Sequence, residues 1–137
     1  MQEILERCCG IDIHQATLTA CIMIGNGKTM LKEIREFPTT TEALEELSRW
    51  LKEKRIKDVA IESTGIFWKP VFNVLAQDFE FTLANARHIK NVPGRKTDIK
   101  DSEWICKLLK AGLLEKSFIP PKNIRHLRDL TRWRRKY

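Results

Sequence analysis

The sequence has no apolar segment of the length that crosses a membrane. Every apolar run is far shorter than the roughly 20 residues that a bilayer-spanning helix needs. The N-terminus also lacks the basic, apolar and small-residue regions that follow one another in a signal peptide. We therefore expect a cytoplasmic protein without a membrane partner.

Cysteine pairs with metal-binding spacing are absent as well. The chain contains four cysteines and three histidines, yet it has no C-x-x-C pair and no histidine at zinc-finger spacing. We predict that all four cysteines are reduced packing residues, as in a reducing compartment. His14 stands two residues after Asp12, and we interpret it as a surface residue.

Charge is unevenly distributed along the chain. Residues 1–115 hold equal numbers of basic and acidic residues, 17 of each, whereas residues 116–137 hold eight lysines and arginines against one acid. The second segment thus accounts for the whole formal net charge of +7. Clustered basic charge is typical of phosphate-backbone binding, although a solvated helix face gives the same pattern. We predict one domain over residues 1–115, followed by a basic helical segment at 116–137.

Apolar patterning predicts five strands. Their predicted ranges are Arg7–Ile13, Thr17–Ile24, 28–37, Asp58–Glu62 and 79–83. A glycine-rich hairpin signal at 25–27 joins the second strand to the third, so the first three form an antiparallel meander. The fourth follows a helical crossover and should run parallel to the first.

Helices are predicted between and after the later strands. Thr39 and Glu42 form a capping-box pair at the start of the first helix, and the third helix runs from Asp98 to about Gly112. The core-facing residues of the first two helices are Leu44, Leu47, Leu51, Phe67, Val71 and Leu75. A meander followed by strands that alternate with helices predicts an α/β protein of the ribonuclease-H-like fold, with a five-stranded mixed sheet.

Four carboxylates stand at positions that this fold would bring together. Asp12 and Glu62 each end a predicted strand, while Asp98 and Asp101 are three residues apart and would share a helix face. Oxygen-only ligands select a hard cation such as Mg²⁺ or Mn²⁺, and two ions suit phosphodiester chemistry. The alternative is structural, since Asp98 and Asp101 can form a capping pair at a helix N-terminus.

The motifs around these acids resemble those of a known family. Gly10-Ile11-Asp12, Ile61-Glu62-Ser63-Thr64-Gly65 and Lys96-Thr97-Asp98-x-x-Asp101 look like the N-terminal domain of the DEDD transposases, recombinases of bacterial and archaeal insertion sequences guided by a bridge RNA. The resemblance implies a RuvC-like fold. It also implies a catalytic, metal-binding quartet of Asp12, Glu62, Asp98 and Asp101, with DNA and a guide RNA as partners. Members continue into a second domain that carries a serine nucleophile, and we expect a homo-oligomer at full length.

Basic residues surround the acidic motifs and fill the C-terminal segment. The residues that we expect to bind nucleic acid are Arg87, Lys90, Arg95, Lys96, Lys100, Arg125, Arg128, Arg132, Arg134 and Arg135. One departure from the resembled family lies beside them: Ser102 stands where alanine is usual after the last aspartate.

Two other functions fit parts of the pattern. A Holliday-junction resolvase would share the fold, the metals and the acidic quartet, and a non-catalytic nucleic-acid-binding module would use the acids only as caps and surface charges. Sugar-kinase and actin-like ATPases share the fold but need a glycine- and hydroxyl-rich loop after the first strand. Residues 13–16 contain neither glycine nor a hydroxyl residue, so we set that function aside.

The basic segment yields the first testable prediction. If its arginines contact phosphates, removal of residues 116–137 should abolish most nucleic-acid binding and flatten its salt dependence, because each duplex contact contributes about 0.9 to the logarithmic slope. Affinity measured at two salt concentrations for residues 1–137 and 1–115 checks this. Equal affinity and equal slope for both chains would show that the segment does not bind.

Overall fold

A five-stranded mixed sheet forms the centre of the protein. The computed structural model describes residues 5–62, 67–84, 89, 92–94 and 99–114. The strands are β1 (Arg7–Ile13), β2 (Thr17–Ile24), β3 (Leu31–Pro38), β4 (Asp58–Glu62) and β5 (Glu80–Ala84). The helices are α1 (Thr41–Glu53), α2 (Trp68–Leu75) and α3 (Asp101–Lys110).

Strand order confirms the predicted topology. The sheet runs β3-β2-β1-β4-β5, with β1 at its centre. β1 pairs with β2 and β2 with β3 in antiparallel fashion, whereas β1–β4 and β4–β5 are parallel pairs. The helical connections after β3 and β4 make these parallel pairs possible, since a tight hairpin cannot join parallel strands.

Both faces of the sheet are covered, and each has its own apolar cluster. Cys9, Ile11 and Ile13 of β1 pack in the cluster that contains the buried faces of α1 and α2. Cys8 packs on the opposite face, in the cluster that contains Trp104 and its neighbours on α3. Successive strand residues point to opposite faces, so β1 carries small or apolar residues almost throughout.

Several boundaries differ from the sequence-based prediction. β3 begins at Leu31 instead of residue 28, because Gly27–Thr29 forms a short 3₁₀ turn. The N-cap of α1 is Thr40 instead of Thr39: the Thr40 side chain accepts from the Ala43 backbone N–H at 3.2 Å. Both threonines have a side chain that can cap a helix. Thr40 is the N-cap because its backbone is extended and the helix begins at the next residue.

The predicted apolar faces are mostly correct. Leu44, Leu47 and Leu51 are buried on α1, as are Val71 and Leu75 on α2. The placement of Phe67 in the core was wrong: it precedes α2 as its N-cap and is 44% exposed. Thr82 and Leu83 of β5 are both buried, so this strand is covered on both faces.

The end of α3 is held by a buried lysine. Nζ of Lys110 donates to the Leu5 backbone oxygen at 2.6 Å and to Oδ1 of Asn26 at 2.7 Å. These bonds attach the C-terminus of α3 to the N-terminal edge of β1 and to the turn after β2. Gly112, with a φ of 71°, then ends the helical path in a conformation that favours glycine.

The four cysteines are free and buried, which agrees with their predicted packing role. Sγ of Cys8 lies 3.5 Å from Sγ of Cys106, at the contact between β1 and α3. Burial raises the pKa of the Cys9 and Cys106 thiols well above the ordinary value of 9.0. Both therefore remain neutral at physiological pH, which disfavours the thiolate that redox chemistry requires.

These raised pKa values predict a loss of stability at alkaline pH. Cys9 and Cys106 stay protonated in the folded state, while the same thiols ionise in the unfolded chain near pH 9. The unfolded state is then favoured by about 1.4 kcal/mol per pH unit above 9 for each thiol. Urea unfolding should show a lower midpoint at pH 10 than at pH 8. The urea midpoint of Cys9→Ala should fall less between pH 8 and pH 10 than that of the wild type. An equal fall would show that the Cys9 thiol does not cause the loss of stability.

No helix in the described part of the chain combines the length and apolarity that spanning a membrane requires.

Candidate active site

Two of the predicted acids end neighbouring parallel strands. The register of β1 and β4 pairs Ile11 with Ile61, so Asp12 and Glu62 follow side by side at the carboxyl edge of the sheet. Asp12 is 9% exposed and Glu62 is partly buried. Ligands of open α/β sheets bind beyond this edge, and the two carboxylates lie where such a ligand would be.

α3 approaches β1 at unusually short range. A Cβ added at Gly10 would lie 2.3 Å from the Cys106 backbone nitrogen and 2.5 Å from the Ser102 carbonyl oxygen. Side chains essentially never tolerate such separations from backbone atoms, so only glycine permits this packing. The contact places the first turn of α3, with Asp101, next to the end of β1, where Asp12 lies.

A cavity of about 560 Å³ opens where α3 meets the sheet edge. It is bounded by residues from β1, β2, β3 and the start of α3. The lining residues are Asp12, His14, Thr19, Ile34, Glu36, Ile99, Lys100, Asp101 and Ser102. Two predicted carboxylates, Asp12 and Asp101, thus share one cavity although 89 positions separate them in sequence. Glu62 is not among the lining residues.

His14 contacts the central carboxylate of this cavity. Its Nε2 lies 3.0 Å from Oδ2 of Asp12, while its side chain remains 65% exposed. The interpretation of His14 as an exposed residue is correct but incomplete, because the imidazole also orients Asp12. The signal was present in the two-residue spacing, because His14 directly follows β1 and residues two apart in an extended chain point the same way.

Thr19 and Glu36 were not identified from the sequence. Thr19 is the direct partner of Asp12 on β2, and Glu36 is the partner of Thr19 on β3. Directly opposite residues point to the same face of a sheet, so the three side chains form a row across it. The row extends the cavity from the central strand to the outer strand β3.

The prediction that one helix carries both aspartates was wrong. α3 begins at Asp101, and its N-cap is Lys100, which has an extended backbone and makes no side-chain capping bond. The capping role considered for Asp98 falls outside the described residues. Asp101 and Glu103 lie in the first turn, where the positive end of the helix dipole favours acids.

Most of the predicted basic residues lie outside the described ranges. Asp98 lies outside the described residues, as do all the predicted nucleic-acid-binding residues except Lys100, which lines the cavity. Within the ranges that the structure describes, no three Asp, Glu, His or Cys side chains are grouped closely enough to hold a metal ion. The acidic quartet therefore stays a prediction.

One buried oxygen of a residue next to the cavity lacks a hydrogen-bond partner. Among the described residues, Oγ of Ser102 is the buried side-chain nitrogen or oxygen atom that forms no hydrogen bond. Ser102 is 1% exposed and directly follows Asp101 in the first turn of α3. A buried hydroxyl without a partner is uncommon in folded proteins.

Solved structures identify the fold class. The chain is similar to Thermus thermophilus RuvC in complex with Holliday junction substrate, at 10% identity and a TM-score of 0.53, over 82% of this chain and 100% of that one. A second Thermus thermophilus RuvC structure matches at 15% identity and a TM-score of 0.48, over 85% of each chain. The first likeness and the strand order define a ribonuclease-H-like fold of the RuvC kind.

The family follows from the sequence as a whole. The model of the DEDD transposases of the IS110 type, described as "Transposase", matches residues 9–137. The chain therefore belongs to this transposase family, in agreement with the resemblance of its acidic motifs. No curated protein matches the chain significantly.

The close approach at Gly10 can be tested by one added methyl group. We expect Gly10→Ala to lower the free energy of unfolding by about 3 kcal/mol or more, because the methyl would collide with the α3 backbone and not with a movable side chain. Gly27→Ala is a matched control: its Cβ would meet no described atom within 4 Å, and only its φ of 62° is unfavourable, at about 1 kcal/mol. Urea unfolding of both variants measures the difference. An equal decrease in the free energy of unfolding for both variants would show that α3 can move away from β1.

Proposed function

We propose that this chain is the metal-dependent domain of a DNA transposase that acts in strand cleavage and exchange. Asp12, Glu62, Asp98 and Asp101 would hold one or two Mg²⁺ or Mn²⁺ ions. The observation that carries the proposal is the shared cavity of Asp12 and Asp101, which come from β1 and α3 and meet at the carboxyl edge of the sheet.

The donor set of this cavity fits a hard cation. Asp12 and Asp101 supply carboxylate oxygens, and Thr19 and Glu36 add further side-chain oxygens to the lining. Such oxygen-rich surroundings suit Mg²⁺ and Mn²⁺ rather than softer metals. When bound in such sites, these ions activate an attacking oxygen and stabilise the leaving oxygen of a phosphodiester.

The protein's own residues would prepare the site for a polyanion. His14 holds the Asp12 carboxylate from the solvent side, at 3.0 Å, and so restricts its rotation. Lys100 lines the same cavity at the N-terminus of α3, where backbone N–H groups also point outward. Together the lysine and the helix N-terminus attract phosphate to the place where the carboxylates converge.

DNA is the substrate that these features fit best. Transposase family membership and the phosphate-attracting end of α3 both support it. The predicted basic residues outside the described ranges would extend the contact along the DNA backbone. A guide RNA and a homo-oligomeric assembly, which the resemblance implies, are part of the same proposal.

A Holliday-junction resolvase activity is the second candidate. It is favoured by the likeness in fold to a RuvC that was solved with a Holliday junction substrate. The match covers the full length of that RuvC chain. Transposase family membership favours the first candidate. Cleavage of an immobile four-way junction by residues 1–137 alone would support the resolvase.

A Mn²⁺ titration tests the metal site directly. We expect wild-type protein to bind Mn²⁺ in calorimetry, and Asp12→Asn and Asp98→Asn/Asp101→Asn to lose at least tenfold in affinity, since each change removes a charged ligand. The same variants should lose Mg²⁺-dependent strand cleavage in the complete enzyme while keeping the fold, as judged by circular dichroism.

Asp78→Asn is the matched control. This carboxylate is 44% exposed and pairs with Lys52. It lies just before β5, at the amino ends of the parallel strands, whereas the cavity lies at their carboxyl ends. Its variant should bind Mn²⁺ as the wild type does. Absence of Mn²⁺ binding by the wild type, or equal losses in all variants, would leave only a nucleic-acid-binding module.

A further inference from the structure

The unpartnered hydroxyl of Ser102 is the starting point. Ser102 belongs to the wall of the cavity that contains Asp12 and Asp101, and it is itself almost completely buried. Its Oγ forms no hydrogen bond with any described residue. Removing a hydroxyl from water without a replacement partner destabilises the folded state.

Packing explains why serine fits here but does not explain the hydroxyl. The Ser102 carbonyl oxygen lies against Gly10, so the residue is part of the contact that docks α3 on β1. That contact uses the backbone of Ser102 and would be the same with alanine. The hydroxyl therefore adds an unfavourable burial to the metal-free fold without adding a contact to it.

Rotation of the side chain would bring the Ser102 hydroxyl to the cavity. Ser102 directly follows Asp101, so its side chain starts one residue from a proposed cation ligand. A serine hydroxyl reorients by rotation about a single bond, Cα–Cβ, among three staggered positions. It can thus turn toward an acceptor in the cavity while the helix backbone stays in contact with Gly10.

We propose that Ser102 is a positioning residue whose hydroxyl donates a hydrogen bond to an oxygen atom that enters the cavity with the cation. This inference rests on the proposed metal site. The acceptor is either a water molecule that accompanies the ion or a phosphate oxygen of the substrate. Substitution of residues that hydrogen-bond to metal ligands commonly lowers metal affinity by tenfold or more.

The proposal predicts that Ser102→Ala stabilises the metal-free protein but weakens its binding of the cation. In the metal-free protein, loss of an unpartnered buried hydroxyl should raise the melting temperature by about 3 °C. In the loaded protein, loss of the hydrogen bond should weaken Mn²⁺ binding by about tenfold. A purely structural serine would not give this reversal, because its removal would act alike with and without the ion.

The experiment measures thermal unfolding of residues 1–137 in EDTA, in Mn²⁺, and in Mn²⁺ with a short DNA duplex. Wild type is compared with Ser102→Ala and with Ser48→Ala, a serine of α1 that is also buried but lies on the other face of the sheet. We expect only Ser102→Ala to melt higher in EDTA and to gain less than wild type when Mn²⁺ is added, either alone or together with DNA. A smaller rise in melting temperature with Mn²⁺ alone identifies water as the acceptor. A smaller rise only when DNA is also present identifies a phosphate oxygen.

Two results would overturn the inference while leaving the proposed function standing. One is a Ser102→Ala variant that melts lower than wild type in EDTA, which would show that the hydroxyl already has a partner without metal. The other is a wild-type response to Mn²⁺ and DNA in Ser102→Ala. If wild-type protein itself did not respond to Mn²⁺, the proposed metal site and this inference would both be wrong.

Discussion

The structure depends on the direct contact between the backbone of α3 and Gly10 of β1. Because residue 10 has no side chain, Cys106 and Ser102 approach the central strand at distances that any Cβ would prevent. The helix is otherwise an amphipathic segment of ten residues, which packing must stabilise because so short a helix is marginal alone. The glycine therefore determines how near Asp101 comes to Asp12, and with it whether the two carboxylates can share a ligand.

The contact also explains the residues around it. α3 covers the sheet face that carries small side chains, Cys8, Cys21, Ala60 and Ala84, and its own Trp104 fills the remaining space. The Trp104 indole donates to the Ile89 carbonyl oxygen at 3.2 Å, which satisfies its polar atom inside the core. Larger residues at these four positions would push the helix away from the strand, so these small residues and the site geometry have a common cause.

The sequence was sufficient to predict the sheet and the neighbouring positions of Asp12 and Glu62. Alternating apolar residues and the capping pattern near Thr40 specify local structure, and the crossover rule then makes β4 parallel to β1, which places Glu62 beside Asp12. The start of α3 was not predictable in this way, because the spacing of Asp98 and Asp101 fits a shared helix face equally well. Thr19 and Glu36 become neighbours of Asp12 only through the strand register, and a single sequence contains no direct signal for such pairing.

Lys110 gives the helix a second fixed point. Its two hydrogen bonds lie eight residues beyond Ser102, about 12 Å along the helix axis. A helix that is attached at both ends cannot slide along β1 or tilt away from it without breaking one attachment. The first turn of α3, which carries Asp101, is therefore fixed relative to β1 by two contacts that lie far apart along the helix.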